Sequence, residues 1–269
     1  MGQQVTIKRL TGVIGAEVTG VNLNEPLEQS AFVTIRQAFL DHCMLVFSGQ
    51  FLEPRALSAF ANLWGDVLRA PYLKPVELPD YPEVIEVVNR GKAFAYTTEE
   101  WHSDLSFMPA PPAHAILAAR VIPGTGGDTM FANQYVAYEA LSDGMKRMLG
   151  GLRAWHGGAK LAALAGIEDS APPQNHPIVR THPETGRKGL FVNRLYTYAI
   201  EGLTEHEGRG LLGILFEQIC RPEFTYRHQW RPGDVIMWDN RCTVHYAIHD
   251  YGDAERLMHR TTIAGDVPR

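Results

Sequence analysis

The second half of the chain is a series of short segments of strand character, at 177–182, 189–193, 223–230, 234–239, 242–247 and 255–264, interrupted by one helix at about 204–220. That spacing most constrains the fold. Strands this short, separated by turns such as Arg231-Pro232-Gly233-Asp234, cannot each be followed by a crossover helix. The pattern therefore argues against a doubly wound parallel sheet. The pattern predicts a mainly β chain with flanking helices, arranged as a double-stranded β-helix or jelly roll.

The first half fits the same architecture. Residues 31–42 carry apolar side chains at helical spacing, and 43–47 (CMLVF) reads as a buried strand. Pro54 suits the first turn of a helix over 53–64, and 83–89 reads as a strand. Segments 113–122 and 128–132 read as strands joined by the Pro123-Gly124-Thr125-Gly126-Gly127 turn. Residues 134–149 read as one helix, and 159–176 as a loop or lid. Thr204 and Glu207 form a capping box at the start of the helix over 204–220.

No linker-like composition divides the 269 residues, so a single domain over 1–269 is expected. The formal net charge is −5 and no basic block stands out, which argues against nucleic acid and against an anionic membrane surface as partners. No apolar run reaches spanning length. Cys43, Cys220 and Cys242 are an odd number without metal-type spacing, which fits a reducing, cytoplasmic compartment.

The chemistry concentrates at Trp101-His102-Ser103-Asp104. On a strand, residues i and i+2 point to one face, so His102 and Asp104 can act together. The polar approach Glu99-Glu100 and the prolines at 109, 111 and 112 place them at a strand end near a barrel mouth. His245, on a distant strand, can complete a set of two imidazoles and one carboxylate. That set suits non-haem Fe(II) with open positions for substrate and O2. Three protein ligands and a water also suit zinc, and a His-x-Asp pair also occurs as a simple surface hydrogen bond.

Arg256 and Arg260 are four apart in a strand pattern. They share a face about 13 Å apart at ~3.3 Å per residue. Two cations on one face of a barrel strand call for anions, and an Arg fork grips carboxylates in bidentate fashion. One could hold a co-substrate carboxylate and the other the acidic group of a substrate. Two outward-facing surface arginines fit the spacing equally. Thr129, after a Gly-Gly-Asp turn, could assist the same carboxylate.

Several stretches in order along nearly the whole chain carry a resemblance: WHSDLSF at 101–107, GGDT at 126–129, PIVRTHPETGRKGLFVN at 177–193, GDVIMWDNR at 233–241, HYA at 245–247 and RLMHRTTIAGD at 256–266. The chain resembles the taurine dioxygenase and 2,4-dichlorophenoxyacetate dioxygenase family of Fe(II)/2-oxoglutarate-dependent oxygenases. The resemblance implies that His102, Asp104 and His245 hold Fe(II). It implies that Thr129 and Arg256 bind 2-oxoglutarate, and that Arg260 binds the anionic group of a small-molecule substrate. The implied reaction uses O2, releases succinate and CO2, and hydroxylates a substrate carbon.

Ala70 falls where the taurine-degrading branch carries a sulfonate-binding histidine. Together with Tyr72, Leu73, Leu161, Ala162 and Tyr196 it implies a more apolar pocket, suited to an aryloxyalkanoate, alkyl sulfonate or alkyl sulfate. A taurine dioxygenase proper, a zinc hydrolase on the same ligands and a non-catalytic jelly-roll binding module remain as alternatives, and a homo-oligomer is possible.

Overall fold

The computed structural model describes residues 3–69, 76–89, 99–165 and 171–269. Two sheets face each other. The larger runs, in spatial order, through Thr6–Arg9, Ala16–Thr19, Met44–Phe47, Val235–Asp239, His114–Val121, Arg256–Ile263, Tyr81–Asn89 and Val76–Leu78, with the short strand Val67–Leu68 paired to Arg256–Ile263. The smaller is Thr225–His228, Thr129–Asn133 and Thr243–Ala247, all antiparallel. This is the mainly β jelly roll with outlying helices that the strand spacing predicts.

Alternation along Met44–Phe47, His114–Val121 and Val235–Asp239 explains why their sequences are largely apolar. In the large sheet, Met44, Val46, Ala115, Leu117, Ala119, Ile236, Trp238 and Met258 join Phe131 of the small sheet in one core cluster between the sheets. Their neighbours Leu45, Phe47, Ile116, Ala118, Val235, Met237 and Ile263 form a second cluster under the helices Gln29–His42 and Pro54–Asn62. Successive residues point to opposite faces, and both faces are covered, so no polar alternation appears. The small sheet is built the same way. Phe131 points inward, while Ala132 and Val244 pack outward against the helix Glu205–Gln218.

Most elements lie where the sequence places them. Pro54 occupies the first turn of its helix, and Thr204 and Glu207 make the reciprocal capping box. Two expectations are corrected. The single helix over 134–149 is two, Gln134–Glu139 and Asp143–Leu149, because the Ser142 hydroxyl accepts from Met145 N–H and starts a new helix. The loop expected over 159–176 contains the helix Ala159–Ala165 and the strand Gln174–Pro177, which pairs with Arg153–His156.

The Pro123–Gly127 turn does not close a hairpin. It carries the chain from the large sheet to the small one. Gly126 and Gly127 have φ of 78° and 74°. A Cβ on Gly126 would sit 2.4 Å from an Asp250 carboxylate oxygen, which accepts from Gly127 N–H at 2.8 Å. The turn therefore packs directly on the segment leading to Arg256.

Candidate active site

His102 and His245 face each other across an isolated antiparallel bridge that extends the small sheet. His102 N–H donates to His245 O at 3.0 Å, and His245 N–H returns a bond to His102 O at 2.8 Å. Directly opposed residues project from one face, and here the ring centroids are 4.1 Å apart. His245 alternates with Val244, so it points inward beside Phe131 and Trp238.

Asp104 reaches the same place by another route. It lies in a turn rather than on a strand, so the i, i+2 strand argument does not account for it. Leu105, which follows, has a φ of 45°, a left-handed conformation that costs a non-glycine residue about 1–2 kcal/mol. Surrounding contacts must hold that turn. Asp104 N–H donates to the Asn240 side-chain oxygen at 3.2 Å, and the Ser103 hydroxyl donates to Asn240 O at 2.7 Å.

One nitrogen or oxygen from each of His102, Asp104 and His245 lies within 4.8 Å of the others, and all three residues are buried. The set has the composition and size for a divalent cation. His102 Nδ1 is 2.7 Å from Glu100 O, which can only accept, so Nδ1 carries the proton and Nε2 offers a lone pair. Burial, reinforced by Arg260, lowers the His102 pKa, and burial with the neighbouring His102 and Arg260 lowers that of His245. Burial alone would raise the Asp104 pKa, but Arg260 and the two histidines outweigh it and hold the carboxyl below the usual carboxylate range. At neutral pH the cluster is two neutral imidazoles and one carboxylate, the protonation state that metal binding requires.

Arg256 and Arg260 flank Met258, a residue of the inner core, on the strand Arg256–Ile263. Arg260 forms an ion pair with Asp104, Nη2 to Oδ2 at 2.6 Å, and lies 5.5 Å over the Trp238 ring, with its side chain 21% exposed. Arg256 is 7% exposed and lies 5.9 Å over Trp230. No carboxylate among the described residues pairs with it. Trp230 Nε1–H donates to the Thr129 hydroxyl at 2.9 Å, which brings Thr129 and Arg256 to one corner. Trp230 was not legible as part of the site, because its role depends on contacts with residues about 100 and 26 positions away in the chain.

On the opposite side lies a small apolar cluster of Phe107, Leu161, Leu195 and Tyr196, with Leu105, Met108 and Ala171 packed against it. Tyr196 stands edge-on to His102 at 6.3 Å and lies 5.1 Å from Phe107. Burial raises its phenol pKa, so it is a neutral wall. Ala162 is buried nearby in sequence. Ala70, Tyr72 and Leu73 fall outside the described residues. A cleft of about 320 Å³, lined in part by Glu17, Tyr226, Arg227 and Asp234, shares no residue with this site.

A jelly roll that brings two histidines and an aspartate into one buried group fits the two-histidine, one-carboxylate site of the non-haem iron oxygenases. The chain belongs to the taurine catabolism dioxygenase TauD, TfdA family, whose model matches residues 6–262. It is 38% identical over 280 residues to an alkylsulfatase of Acinetobacter baylyi, covering 98% of this chain and 86% of that one. It is 34% identical over 284 residues to an α-ketoglutarate-dependent 2,4-dichlorophenoxyacetate dioxygenase of Cupriavidus pinatubonensis, covering 97% and 98%. The crystal structure of a taurine dioxygenase from Burkholderia xenovorans superposes with a TM-score of 0.87 at 35% identity, over 98% of this chain and 92% of that one. No helix among the described residues is long and apolar enough to cross a membrane.

Proposed function

We propose that this chain is an Fe(II)- and 2-oxoglutarate-dependent dioxygenase that hydroxylates a small organic anion of the alkyl sulfate, alkyl sulfonate or aryloxyalkanoate type. The observation that carries this reading is the buried Arg256. A cation 7% exposed and without a carboxylate partner among the described residues is costly unless an anion enters the site. Its position beside Thr129, within the barrel that holds the His102–Asp104–His245 cluster, suits a dicarboxylate that also reaches the metal.

In this reading His102 Nε2, a carboxylate oxygen of Asp104 and a ring nitrogen of His245 hold Fe(II). With 2-oxoglutarate and O2 bound, the ferrous centre supplies the oxidation, giving succinate, CO2 and a hydroxylated substrate. Arg256 and the Thr129 hydroxyl anchor the distal carboxylate of 2-oxoglutarate. Arg260 orients the substrate through its acidic group, while keeping one guanidinium nitrogen on Asp104. Phe107, Leu161 and Tyr196 receive the apolar part of the substrate and exclude water from the reacting carbon. Hydroxylation next to a sulfate or phenoxy oxygen gives a hemiacetal-type product that separates into an aldehyde or oxo acid and the free sulfate or phenol.

The relatives named for sulfate-ester and aryloxyacetate chemistry support this substrate class over taurine, and the apolar Phe107–Tyr196 wall supports a substrate with a hydrophobic body. The buried, unbridged Cys43 and Cys242 are compatible with a cytoplasmic setting. The test is succinate release from 2-oxoglutarate under air across a panel of medium-chain alkyl sulfates, alkyl sulfonates, phenoxyacetates and taurine. Release stimulated by the first three classes well beyond taurine supports the reading. Equal or greater stimulation by taurine contradicts the substrate assignment.

A further inference from the structure

His102 and His245 are fixed to each other by two backbone hydrogen bonds, whereas Asp104 sits in a turn with no ladder partner. What fixes the carboxylate ligand is therefore a separate question from what fixes the imidazoles. Asn240 answers it. It is 1% exposed and follows directly on the inner strand Val235–Asp239. Its side-chain oxygen accepts from Asp104 N–H at 3.2 Å and from Trp238 Nε1–H at 3.0 Å. Both partners can only donate, so the orientation of the amide is determined by its neighbours.

The backbone of the same residue completes the anchorage. Asn240 O accepts from the Ser103 hydroxyl, and Asn240 N–H donates to Ala113 O at 2.8 Å. Trp238, whose indole the amide holds, borders two further groups of the centre, His245 and Arg260. Its ring centroid is 4.9 Å from that of His245, and the Arg260 guanidinium lies 5.5 Å above it. One amide oxygen thus sets the peptide that carries Asp104 and the ring against which His245 and Arg260 rest.

We propose that Asn240 is a positioning residue for the metal centre, acting through the Asp104 peptide and the Trp238 indole. The proposal rests on the reading of His102, Asp104 and His245 as metal ligands. Groups that orient metal ligands typically contribute 10–100-fold to metal affinity. Leu105, in its left-handed conformation, makes the Asp104 turn the part of the centre most dependent on such support.

The test is anaerobic titration of the metal-free protein with Co(II), followed by the visible ligand-field bands, in wild type, Asn240→Ala, Asn240→Asp, Asp104→Ala and the Asp104→Ala/Asn240→Ala double variant. Thermal melting of each metal-free protein reports folding. Asn240→Ala should weaken Co(II) binding at least tenfold, and Asn240→Asp, which keeps both acceptor contacts, should bind within threefold of wild type. In the Asp104→Ala background, the loss caused by Asn240→Ala should shrink, leaving only the part that acts through Trp238 on His245. If Asn240→Ala is too unstable to purify, Asn240→Ser, whose hydroxyl is too short to accept from both donors, takes its place with the same expectation. Tight binding in Asn240→Ala, an undiminished loss in the double variant, or Asn240→Asp as weak as Asn240→Ala overturns the positioning role. Unchanged affinity in Asp104→Ala overturns the ligand assignment itself, and the proposal with it.

Discussion

Arg256→Ala removes a guanidinium that is 7% exposed, lies over Trp230 and meets no carboxylate among the described residues. If it grips a 2-oxoglutarate carboxylate, the lost charge-assisted pair costs about 2–5 kcal/mol, the range for truncating one partner of a buried charged pair. At about 1.4 kcal/mol per factor of ten, 2-oxoglutarate binding weakens by about 30-fold to several thousand-fold. Arg256→Lys keeps the charge but not the fork, and should recover only part of this. The ligand-free fold should respond differently. It loses a buried cation that pairs with no carboxylate among the described residues, so its melting temperature should fall little, while the rise in melting temperature that 2-oxoglutarate gives wild type should disappear. Anaerobic calorimetric titration with 2-oxoglutarate, paired with melting curves with and without it, measures both. Unchanged 2-oxoglutarate affinity in Arg256→Ala would refute the assignment.

Further expectations follow from the same contacts. Arg260→Ala should reduce substrate-stimulated succinate formation severely while changing 2-oxoglutarate affinity far less than Arg256→Ala does; equal effects on both would merge the two sites. Arg241 donates through Nε and Nη2 to Asp239 at 2.9 and 2.7 Å, in a network with His182 and Glu184, so Arg241→Ala should destabilise the fold by about 3–5 kcal/mol in urea unfolding. Burial lowers the pKa of His114 to about 4, of His156 to about 3 and of His176 to about 4. The unfolded chain takes up protons near pH 6.5 that the native chain refuses. Stability is therefore full above that pH and falls as the pH drops toward 4, by up to about 1.4 kcal/mol per pH unit for each histidine. Melting temperatures flat from pH 7 to pH 5 would contradict this.

The fold was legible because its signals are local. Short apolar runs, the Thr204–Glu207 capping box and Pro54 each act within a few residues. The split at Ser142 was present in the sequence as a Ser-Asp helix start, and was overridden by continuous helical periodicity on either side. The helix Ala159–Ala165 went unseen because prolines further along the same stretch suggested irregular chain.

The ligand residues were legible in kind but not in placement. His102 takes its position from pairing with His245, 143 positions later, and Asp104 from Asn240, 136 positions later. Arg260 illustrates the same limit. Strand parity put it on the side of Arg256, but its ion pair with Asp104 depends on a turn that strand logic does not describe. Ser106, His156, Asn193 and Thr197 form a buried hydrogen-bonded group that contacts the Tyr196 backbone; Ser106 and Asn193 lie in the stretches 101–107 and 177–193, but nothing in the spacing joins them to His156 and Thr197.

In the proposed function, His102, Asp104 and His245 hold an iron that consumes 2-oxoglutarate and O2. The most direct measurement is succinate formation by the metal-free protein reconstituted with Fe(II) or with Zn(II), in air and under argon, for wild type and His245→Ala, with an alkyl sulfate or a phenoxyacetate present. Succinate should form only from wild type with Fe(II) in air. Full activity in His245→Ala, or turnover with Zn(II) under argon, would contradict it.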